Sequence, residues 1–218
     1  MVKDQNCKIS TLNNYNENYE INCENKTKFT NGKSKVPEGK FLLVVDNEDR
    51  ENEGDLIIAA EKVTTEKMAF MVRHTSGLIC VPTTHERLDQ LQLPLMEIFL
   101  FLLDTTTGIS AHDRALTARS LANPEIDNPD DFNRPGHIFP LRYTEGGVLK
   151  RIGHTEASVD LCKLAGLQPV GVICEVVKDD GLMARRDDCR AFADEHGLKL
   201  ISIEDIIKYR LDKGLLDI

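Results

Sequence analysis

The sequence predicts a single domain in which helices alternate with strands, preceded by a separate N-terminal segment. Apolar runs of strand length, such as 40–45, 56–60 and "PVGVICEVV", alternate with segments of helical period. Because both kinds of element recur along the chain, an all-α or an all-β fold is excluded. Hydrophobic residues make up 41 % of the 218 residues, which is enough to bury one ordinary core.

Residues 1–36 differ in composition from the rest of the chain. They are rich in Asn, Lys, Glu and Thr and contain few aliphatic side chains. Such a segment cannot bury enough apolar surface to offset its ordering entropy. We therefore expect a disordered extension over 1–36 and a folded domain over 37–218.

The first helices are predicted from apolar spacing and from end signals. Residues 65–74 carry apolar side chains at helical positions, and Gly77 follows as a stop signal. Thr83 and Glu86 have the spacing of a capping box, which predicts a helix through Leu91. The short run "GLICVP" before them is predicted to be a strand.

The second half of the chain continues the alternation. The segment "HDRALTARSLANP" is predicted to be a helix that ends at Asn-Pro, and "TEASVDLCKLAG" a helix closed by Gly166. The β-rich run "PVGVICEVV" follows. After it, "DDCRAFADEHG" is predicted to be a helix and "LKLI" a strand, and Ser202 is predicted to cap the final helix.

The overall charge restricts the classes of partner. A net charge of −9 argues against a nucleic acid or an anionic membrane surface, because both repel an acidic protein. No apolar run is long enough to span a bilayer, and no secretory signal is visible, so we expect a cytoplasmic protein. None of the six cysteines forms a C-x-x-C pair, which argues against a zinc ribbon.

The stretch "DNEDRENEGD", residues 46–55, places six carboxylates directly after a buried apolar run. Carboxylates are the preferred ligands of Mg²⁺ and Mn²⁺, and Gly54 would let the backbone turn tightly beside a ligand. The competing interpretation is a solvated acidic loop. From spacing alone the solvated loop is somewhat favoured. The motifs described below reverse that preference, so that Glu53 is a supporting acid and only Asp46, Glu48 and Asp49 keep the solvated interpretation.

The stretch "RIGHTEAS", residues 151–158, is predicted to be an anion site. Arg151, the amide of Gly153 and Thr155 lie at the start of a predicted helix, where backbone N–H groups favour negative charge. His154 beside them is a candidate metal ligand. The alternative is a capped helix with Arg151 in solvent.

Three further features are weaker signals. In "RPGHIFPLR", Pro135-Gly136 predicts a turn that places His137 as a candidate acid or base, although a lone histidine is more often structural. Glu175 lies in a very apolar strand, so it is either exposed or buried with a partner. The stretch "DTTTGISAHDR" either binds a phosphate or caps a helix. Together these features suit a metal-dependent enzyme that acts on a phosphorylated, polyhydroxylated small molecule.

The long motifs resemble those of the 3,4-dihydroxy-2-butanone 4-phosphate synthase family. These motifs occur in the family's order over residues 40–211: "DNEDRENEGDLIIAAE", "TTTGISAHDRALTARSLANP", "RPGHIFPLR", "RIGHTEASVDLCKLAGLQPVGVICEVV" and "DDGLMARRDD". The resemblance implies an α+β, three-layer domain with a mixed sheet flanked by helices. It also implies conversion of D-ribulose 5-phosphate into 3,4-dihydroxy-2-butanone 4-phosphate and formate for riboflavin biosynthesis. The family's enzymes need Mg²⁺ or Mn²⁺ and are homodimers with active sites at the subunit interface, so the resemblance implies both for this chain.

The resemblance also implies roles for individual residues. It makes Glu51 and His154 the metal ligands, and His137 and Glu175 the acid/base groups. It places Cys80 near the site. The residues that it implies contact the substrate are Arg50, Glu51, Asp55, Arg151, Ile152, Gly153, His154, Thr155 and Glu175, with Arg151 and Thr155 at the phosphate.

The chain departs from the family pattern after Met96. A polar loop and most of a strand have no counterpart there, and the apolar run "IFLFLL" is predicted to take the strand's place. This departure motivates an alternative function: a catalytically impaired relative that still binds a sugar phosphate. A third interpretation, another sugar-phosphate enzyme such as an isomerase or aldolase, fits the motifs least.

Overall fold

A computed structural model describes residues 39–93, 100–102 and 105–218 of the chain. The predicted disordered extension over 1–36 lies outside these residues, so that prediction stays untested. In the described part, no helix is long and apolar enough to cross a membrane.

The centre of the domain is one mixed sheet. Its strands, in the described residues, are β1 (Leu42–Val45), β2 (Gly54–Ala59), β3 (Cys80–Thr83), β4 (Leu100–Leu102), β5 (Phe132–Arg142), β6 (Gly171–Glu175) and β7 (Lys199–Ser202). Their order across the sheet is β4-β5-β3-β6-β2-β1-β7. The pairs β1–β7 and β3–β5 are parallel, and the other pairs are antiparallel.

Helices cover both faces of this sheet. They are α1 (Thr65–His74), α2 (His85–Gln90), α3 (Ala111–Ala122), α4 (His154–Leu164), α5 (Arg186–His196) and α6 (Ile203–Asp212). Helices α1, α3 and α5 contribute side chains to the main hydrophobic core, whereas α4 contacts β2, β3 and β6, and α6 contacts α4 and β7. The α+β, three-layer arrangement expected for the family is therefore confirmed.

Strand alternation explains why the sheet needs cover on both faces. In β1, Leu43 and Val45 belong to the main core, whereas Val44 between them is buried outside it. The same alternation holds in β2, where Leu56 and Ile58 face the main core. Because successive side chains of a strand point to opposite faces, Asp55 lies on the face of Val44, the strand residue with which it is paired.

Most predicted elements are confirmed, with two corrections. The helix predicted to start from Thr83 is instead capped by Thr84, whose hydroxyl accepts from the amide of Arg87. The predicted turn at Pro135-Gly136 does not end the strand. Strand β5 continues through it, and residues 134–137 bulge out of register between the two pairs Leu100–Ile138 and Phe101–Asn133.

The apolar run after Met96 does supply a strand. Residues Leu100–Leu102 form β4 and pair antiparallel with β5 at the edge of the sheet. The predicted replacement strand is therefore confirmed for these three residues. Residues 94–99 and 103–104 lie outside the described part.

A buried ion pair ties α6 to the middle of α4. Nη1 of Arg210 lies 2.6 Å from Oδ2 of Asp160, and both side chains are fully buried. The hydroxyl of Tyr143 donates to Oδ1 of Asp160 at 3.0 Å, and the amide of Val148 donates to Oδ2 at 3.0 Å. This network holds together the face of the sheet that carries the candidate site.

Candidate active site

The register of the sheet brings two distant carboxylates to one place. Asp55, in β2, is the direct partner of Glu175, in β6, although 120 positions separate them in the sequence. Both therefore point to the same face, which α4 covers. Because α4 begins at His154, the imidazole reaches the same end of these strands.

His154 is held by the backbone of β1. Its Nε2 donates to the carbonyl oxygen of Val44 at 3.1 Å, since a carbonyl oxygen can only accept. Its Nδ1 faces two carboxylates, with Oδ1 of Asp55 at 3.7 Å and Oε2 of Glu51 at 3.9 Å. A histidine oriented by a hydrogen bond at one nitrogen presents the other to a metal ion, so Nδ1 is the candidate ligand atom.

Burial and charge shift the pKa values of these groups in different directions. Burial raises the pKa of the Asp55 carboxyl to about 7, with the opposing charge of His154 limiting the rise. Although burial opposes it, the charge of Asp55 and the nearby Glu51 carboxylate raise the pKa of His154 to about 9. His154 and Arg50 lower the pKa of Glu51 to about 2, which keeps this carboxylate ionised.

A buried carboxylate in the site has an oxygen that no protein group satisfies. In the described residues, Oδ1 of Asp55 has no hydrogen-bond partner, although the residue is only 3 % exposed. An unpaired buried carboxylate oxygen is costly unless a ligand completes it. Asp55 is thus better suited to a ligand than to a purely structural role.

Asp46 organises the loop that follows β1, which corrects its interpretation as a solvated residue. It is 1 % exposed, and its Oδ2 accepts from the amide of Glu51 at 3.1 Å and from Nη1 of Arg50 at 2.8 Å. Its Oδ1 accepts from the amide of Glu53 at 2.9 Å. Oxygen atoms of Asp46 and Glu51 and a nitrogen of His154 lie within 4.8 Å of one another, a spacing suited to a metal ion.

The role predicted for Gly54 needs correction as well. The residue with a left-handed backbone in this stretch is Asn52, with φ of 54°, while Gly54 is the first residue of β2. A Cβ atom at position 54 would overlap Sγ of Cys189 on α5. Glycine is therefore required there by packing between β2 and α5, and the turn is made by Asn52, a residue that tolerates this conformation.

The start of α4 has the properties predicted for an anion site. Its N-cap is Gly153, and no side chain caps the first amides. Arg151 is half exposed beside it and donates to Oε2 of Glu156 at 2.7 Å. Thr155 lies in the first turn, and Ile152 is 48 % exposed. The uncapped amides, with a guanidinium that Glu156 holds beside them, provide donors that suit a phosphate.

Two residues near Glu175 complete this side of the site. The hydroxyl of Ser76 donates to Oε2 of Glu175 at 2.7 Å, and the amide of Ser76 donates to the carbonyl oxygen of Glu175 at 2.8 Å. Cys80 is buried in β3 next to β6, and burial together with the charge of Glu175 raises the pKa of its thiol. The contact of Ser76 was not predicted, because nothing in the sequence marks a lone serine after a helix.

Two other candidates are not brought to this cluster. His137 is exposed on the bulge of β5, and across the described ranges no hydrogen bond or ion pair connects it to Glu51, His154 or Glu175. The stretch of three threonines caps α3: Ser110 is the N-cap, and Thr106 donates to Asp113 at 2.7 Å. Of the two alternatives for this stretch, the described contacts support capping.

Comparison with known proteins identifies relatives along most of the chain. Residues 33–209 match the family described as 3,4-dihydroxy-2-butanone 4-phosphate synthase. The enzyme of that name from Schizosaccharomyces pombe is 61 % identical over 186 residues, which cover 79 % of this chain and 91 % of the relative.

Solved structures of the same enzyme share the fold. The crystal structure of the Candida albicans synthase is 59 % identical, with a TM-score of 0.75, and the match covers 78 % of this chain and 91 % of the other. A synthase structure in complex with two magnesium ions is 49 % identical, with a TM-score of 0.76, covering 83 % of this chain and 94 % of the other.

Proposed function

The chain belongs to the 3,4-dihydroxy-2-butanone 4-phosphate synthase family, and we propose that it converts D-ribulose 5-phosphate into 3,4-dihydroxy-2-butanone 4-phosphate and formate for riboflavin biosynthesis. The observation that carries this proposal is the convergence of Glu51, Asp55 and His154 at the uncapped start of α4. Ligand groups for a cation and for a phosphate thus lie at one end of the sheet.

A divalent metal ion, Mg²⁺ or Mn²⁺, fits the donor atoms present. Glu51 stays ionised, Nδ1 of His154 is the nitrogen not used by Val44, and Oδ1 of Asp55 has no hydrogen-bond partner in the described part. We assign Glu51 and His154 as the protein ligands. A bound divalent ion would supply Lewis-acid stabilisation of negative charge developing on the sugar oxygens. The related synthase structure holds two magnesium ions, which supports a divalent metal ion in this proposal.

The phosphate of the substrate is assigned to the start of α4. Arg151 provides a guanidinium, and Thr155 in the first turn provides an amide and a hydroxyl, whereas the amide of Gly153 already donates to the carbonyl oxygen of Arg151 at 3.0 Å. Ile152, whose side chain is exposed, lies between Arg151 and Gly153 in the sequence. With the phosphate there, the sugar carbons would extend towards Asp55 and Glu175, and Arg50 would contact the sugar from the loop.

The reaction needs several proton transfers and no external oxidant. The four-carbon product and formate together contain all the atoms of the pentulose phosphate, so acid/base groups and a Lewis acid suffice. Glu175, fixed by Ser76, is assigned as one acid/base group in this cluster. Asp55 contacts the sugar hydroxyls in this proposal, because its oxygen is aimed into the site and lacks a protein partner.

The direct test is formate release from D-ribulose 5-phosphate, measured with and without EDTA. We expect turnover that EDTA abolishes and added Mg²⁺ restores. The variant Glu51→Gln should lose at least about 100-fold in kcat/KM, because it removes the charge of a metal ligand. Glu48→Gln is the matched control, since Glu48 is exposed in the same loop.

Two alternatives make different predictions in the same assay. The impaired relative that only binds sugar phosphate predicts folded protein that releases no formate with metal present. The comparisons lend it no support, since the relatives described above are named as synthases. An isomerase or aldolase would instead release an epimeric pentulose or two smaller fragments, which product analysis would detect.

We further propose that the enzyme is a homodimer in which His137 completes the site of the partner subunit. His137 is exposed and stands apart from the cluster, and three exposed apolar side chains lie near the site or before α3: Leu78, Ile109 and Ile152. Because no described contact links His137 to the cluster of its own subunit, a second subunit packed on the bulge is the route by which it would reach a site. The cytosolic location stays a prediction from the sequence.

Mixed dimers test this arrangement. Glu51→Ala and His137→Ala should each be inactive alone. When they are mixed in equal amounts and allowed to exchange subunits, a symmetric dimer regains one intact site in each mixed pair, about a quarter of wild-type activity. No recovery, although mixed dimers are shown to form, would mean that both residues act in the same subunit.

A further inference from the structure

We propose that Arg185 is a positioning residue that fixes the backbone of the site loop, defined as residues 47–53, and so aims Glu51 at the metal site. The inference deepens the proposed function and rests on its metal site. Arg185 comes directly before α5, far from the loop in sequence, and no role was predicted for it.

The guanidinium of Arg185 binds the backbone of the loop at its tip. Nη1 donates to the carbonyl oxygen of Glu51 at 2.8 Å and to that of Asn52 at 2.7 Å. The same nitrogen lies 3.8 Å from a carboxylate oxygen of Glu53. Two successive carbonyl groups therefore converge on one side chain, although that side chain is 48 % exposed.

The backbone of Arg185 is itself held in place. The amide of Arg185 donates to Oδ2 of Asp188 at 2.9 Å, in the first turn of α5. Helix α5 is anchored in the main core through Cys189 and Ala193, which are both fully buried. The loop is thus held from a rigid helix.

Arg185 and Asp46 hold Glu51 from two sides. Asp46 accepts from the amide of Glu51, whereas Arg185 donates to its carbonyl oxygen. The side chain of Glu51 is 52 % exposed, so packing alone does not set its direction. Nη1 of Arg50 contacts Oε2 of Glu51 at 2.5 Å, so Arg50 orients the carboxylate while the backbone fixes where the side chain starts. Asn52, the left-handed residue that follows, is held by the guanidinium of Arg185.

Electrostatics by itself gives the opposite expectation. Arg185 is a cation close to a site for a cation, so its charge repels Mg²⁺. Removing the charge would tighten metal binding if charge were its only effect. A positioning role predicts weaker binding, so the sign of the change separates the two roles.

Isothermal titration with MgCl₂ measures that sign. We expect Arg185→Met to weaken Mg²⁺ binding about tenfold, as losses of groups that orient metal ligands do. Arg185→Lys keeps the charge and one donor nitrogen on a shorter side chain, and should recover part of the affinity. Arg190→Met is the charge-matched control, because Arg190 lies one turn further along α5 and pairs with Asp194 at 3.8 Å. It should bind Mg²⁺ no more weakly than the wild type.

Hydrogen exchange of the loop amides provides a readout that needs no metal. In metal-free protein, the amides of Glu51 and Glu53 should exchange faster in Arg185→Met than in the wild type or in Arg190→Met. The proposal would be overturned if Arg185→Met bound Mg²⁺ as tightly as the wild type or more tightly. It would also be overturned if Arg185→Met had a lower melting temperature but unchanged Mg²⁺ affinity and unchanged exchange of the loop amides. If the wild type itself binds no Mg²⁺, the metal site fails, and the exchange rates alone decide whether Arg185 positions the loop.

Discussion

Helix α4 carries two buried charged clusters, and they differ in what their polar atoms contact. His154, at the start of the helix, belongs to the candidate site, whereas Asp160, six residues or about 9 Å further along, belongs to the network with Arg210. Both residues are at least 95 % buried. Both are buried charged residues on one helix, and the two clusters differ in their partners.

The Asp160 cluster satisfies its groups within the protein. Both carboxylate oxygens accept hydrogen bonds, from Tyr143, Val148 and Arg210. The guanidinium of Arg210 also donates to backbone carbonyl oxygens, those of Gly146, Leu215 and Leu216. Such a closed arrangement limits the desolvation cost of a buried ion pair.

The His154 cluster leaves some of its groups open. Oδ1 of Asp55 lacks a hydrogen bond in the described part, and its closest charged neighbour is Nδ1 of His154 at 3.7 Å. The raised pKa of Asp55 reflects the cost of burying this charge. A cluster that serves the fold uses its polar atoms internally, whereas a cluster that serves a ligand keeps some available.

The largest effect on stability is expected from the closed cluster. Arg210→Met leaves Asp160 as a buried, uncompensated charge and should lower the free energy of unfolding by about 3–5 kcal/mol, measured by urea denaturation. The double variant Asp160→Asn with Arg210→Met removes both charges and should recover part of that loss. If Arg210→Met lowered the free energy of unfolding by less than about 1 kcal/mol, the Asp160 cluster would not be the stabilising cluster of the two.

A much smaller effect on stability is expected from the open cluster. Asp55→Asn replaces a buried carboxylate by a neutral group of the same shape, so the free energy of unfolding should stay within about 1 kcal/mol of the wild type or rise. Formate release should nevertheless fall by at least about 100-fold, because the ligand loses a charged partner.

Asp113→Asn is the control for that experiment. Asp113 is as buried as Asp55, but it accepts from Thr106 and from the amide of Gly108. The free energy of unfolding of Asp113→Asn should therefore be about 1–2 kcal/mol lower than that of the wild type, whereas Asp55→Asn should show no such loss. If Asp55→Asn unfolds as readily as Asp113→Asn, Asp55 is a structural residue.

The parts of the site that lie close together in the sequence could be predicted from it. The sequence predicts the start of α4 because a glycine, an arginine and a threonine occur together where a helical period begins. The boundaries of α1, α3 and α6 were recognised for the same reason, since caps and stops are local signals.

The residues that were missed act across long distances in the sequence. Arg185 and Arg210 look like ordinary surface charges on polar helices, and only the folded chain brings them to the site loop and to Asp160. Asp46 resembled its exposed neighbours Glu48 and Asp49, because composition does not reveal which carboxylate turns inward. The turn at Pro135-Gly136 became a bulge because pairing with β4 resumes beyond it.

The packing of Gly54 against Cys189 also constrains how this sequence can evolve. A side chain at position 54 would displace α5, and α5 starts next to Arg185, which holds the site loop. A substitution at one of the two positions is therefore tolerated only with a compensating change at the other. Across homologous sequences, positions 54 and 189 should vary as a pair, and a bulkier residue at 54 should occur only with a smaller one at 189.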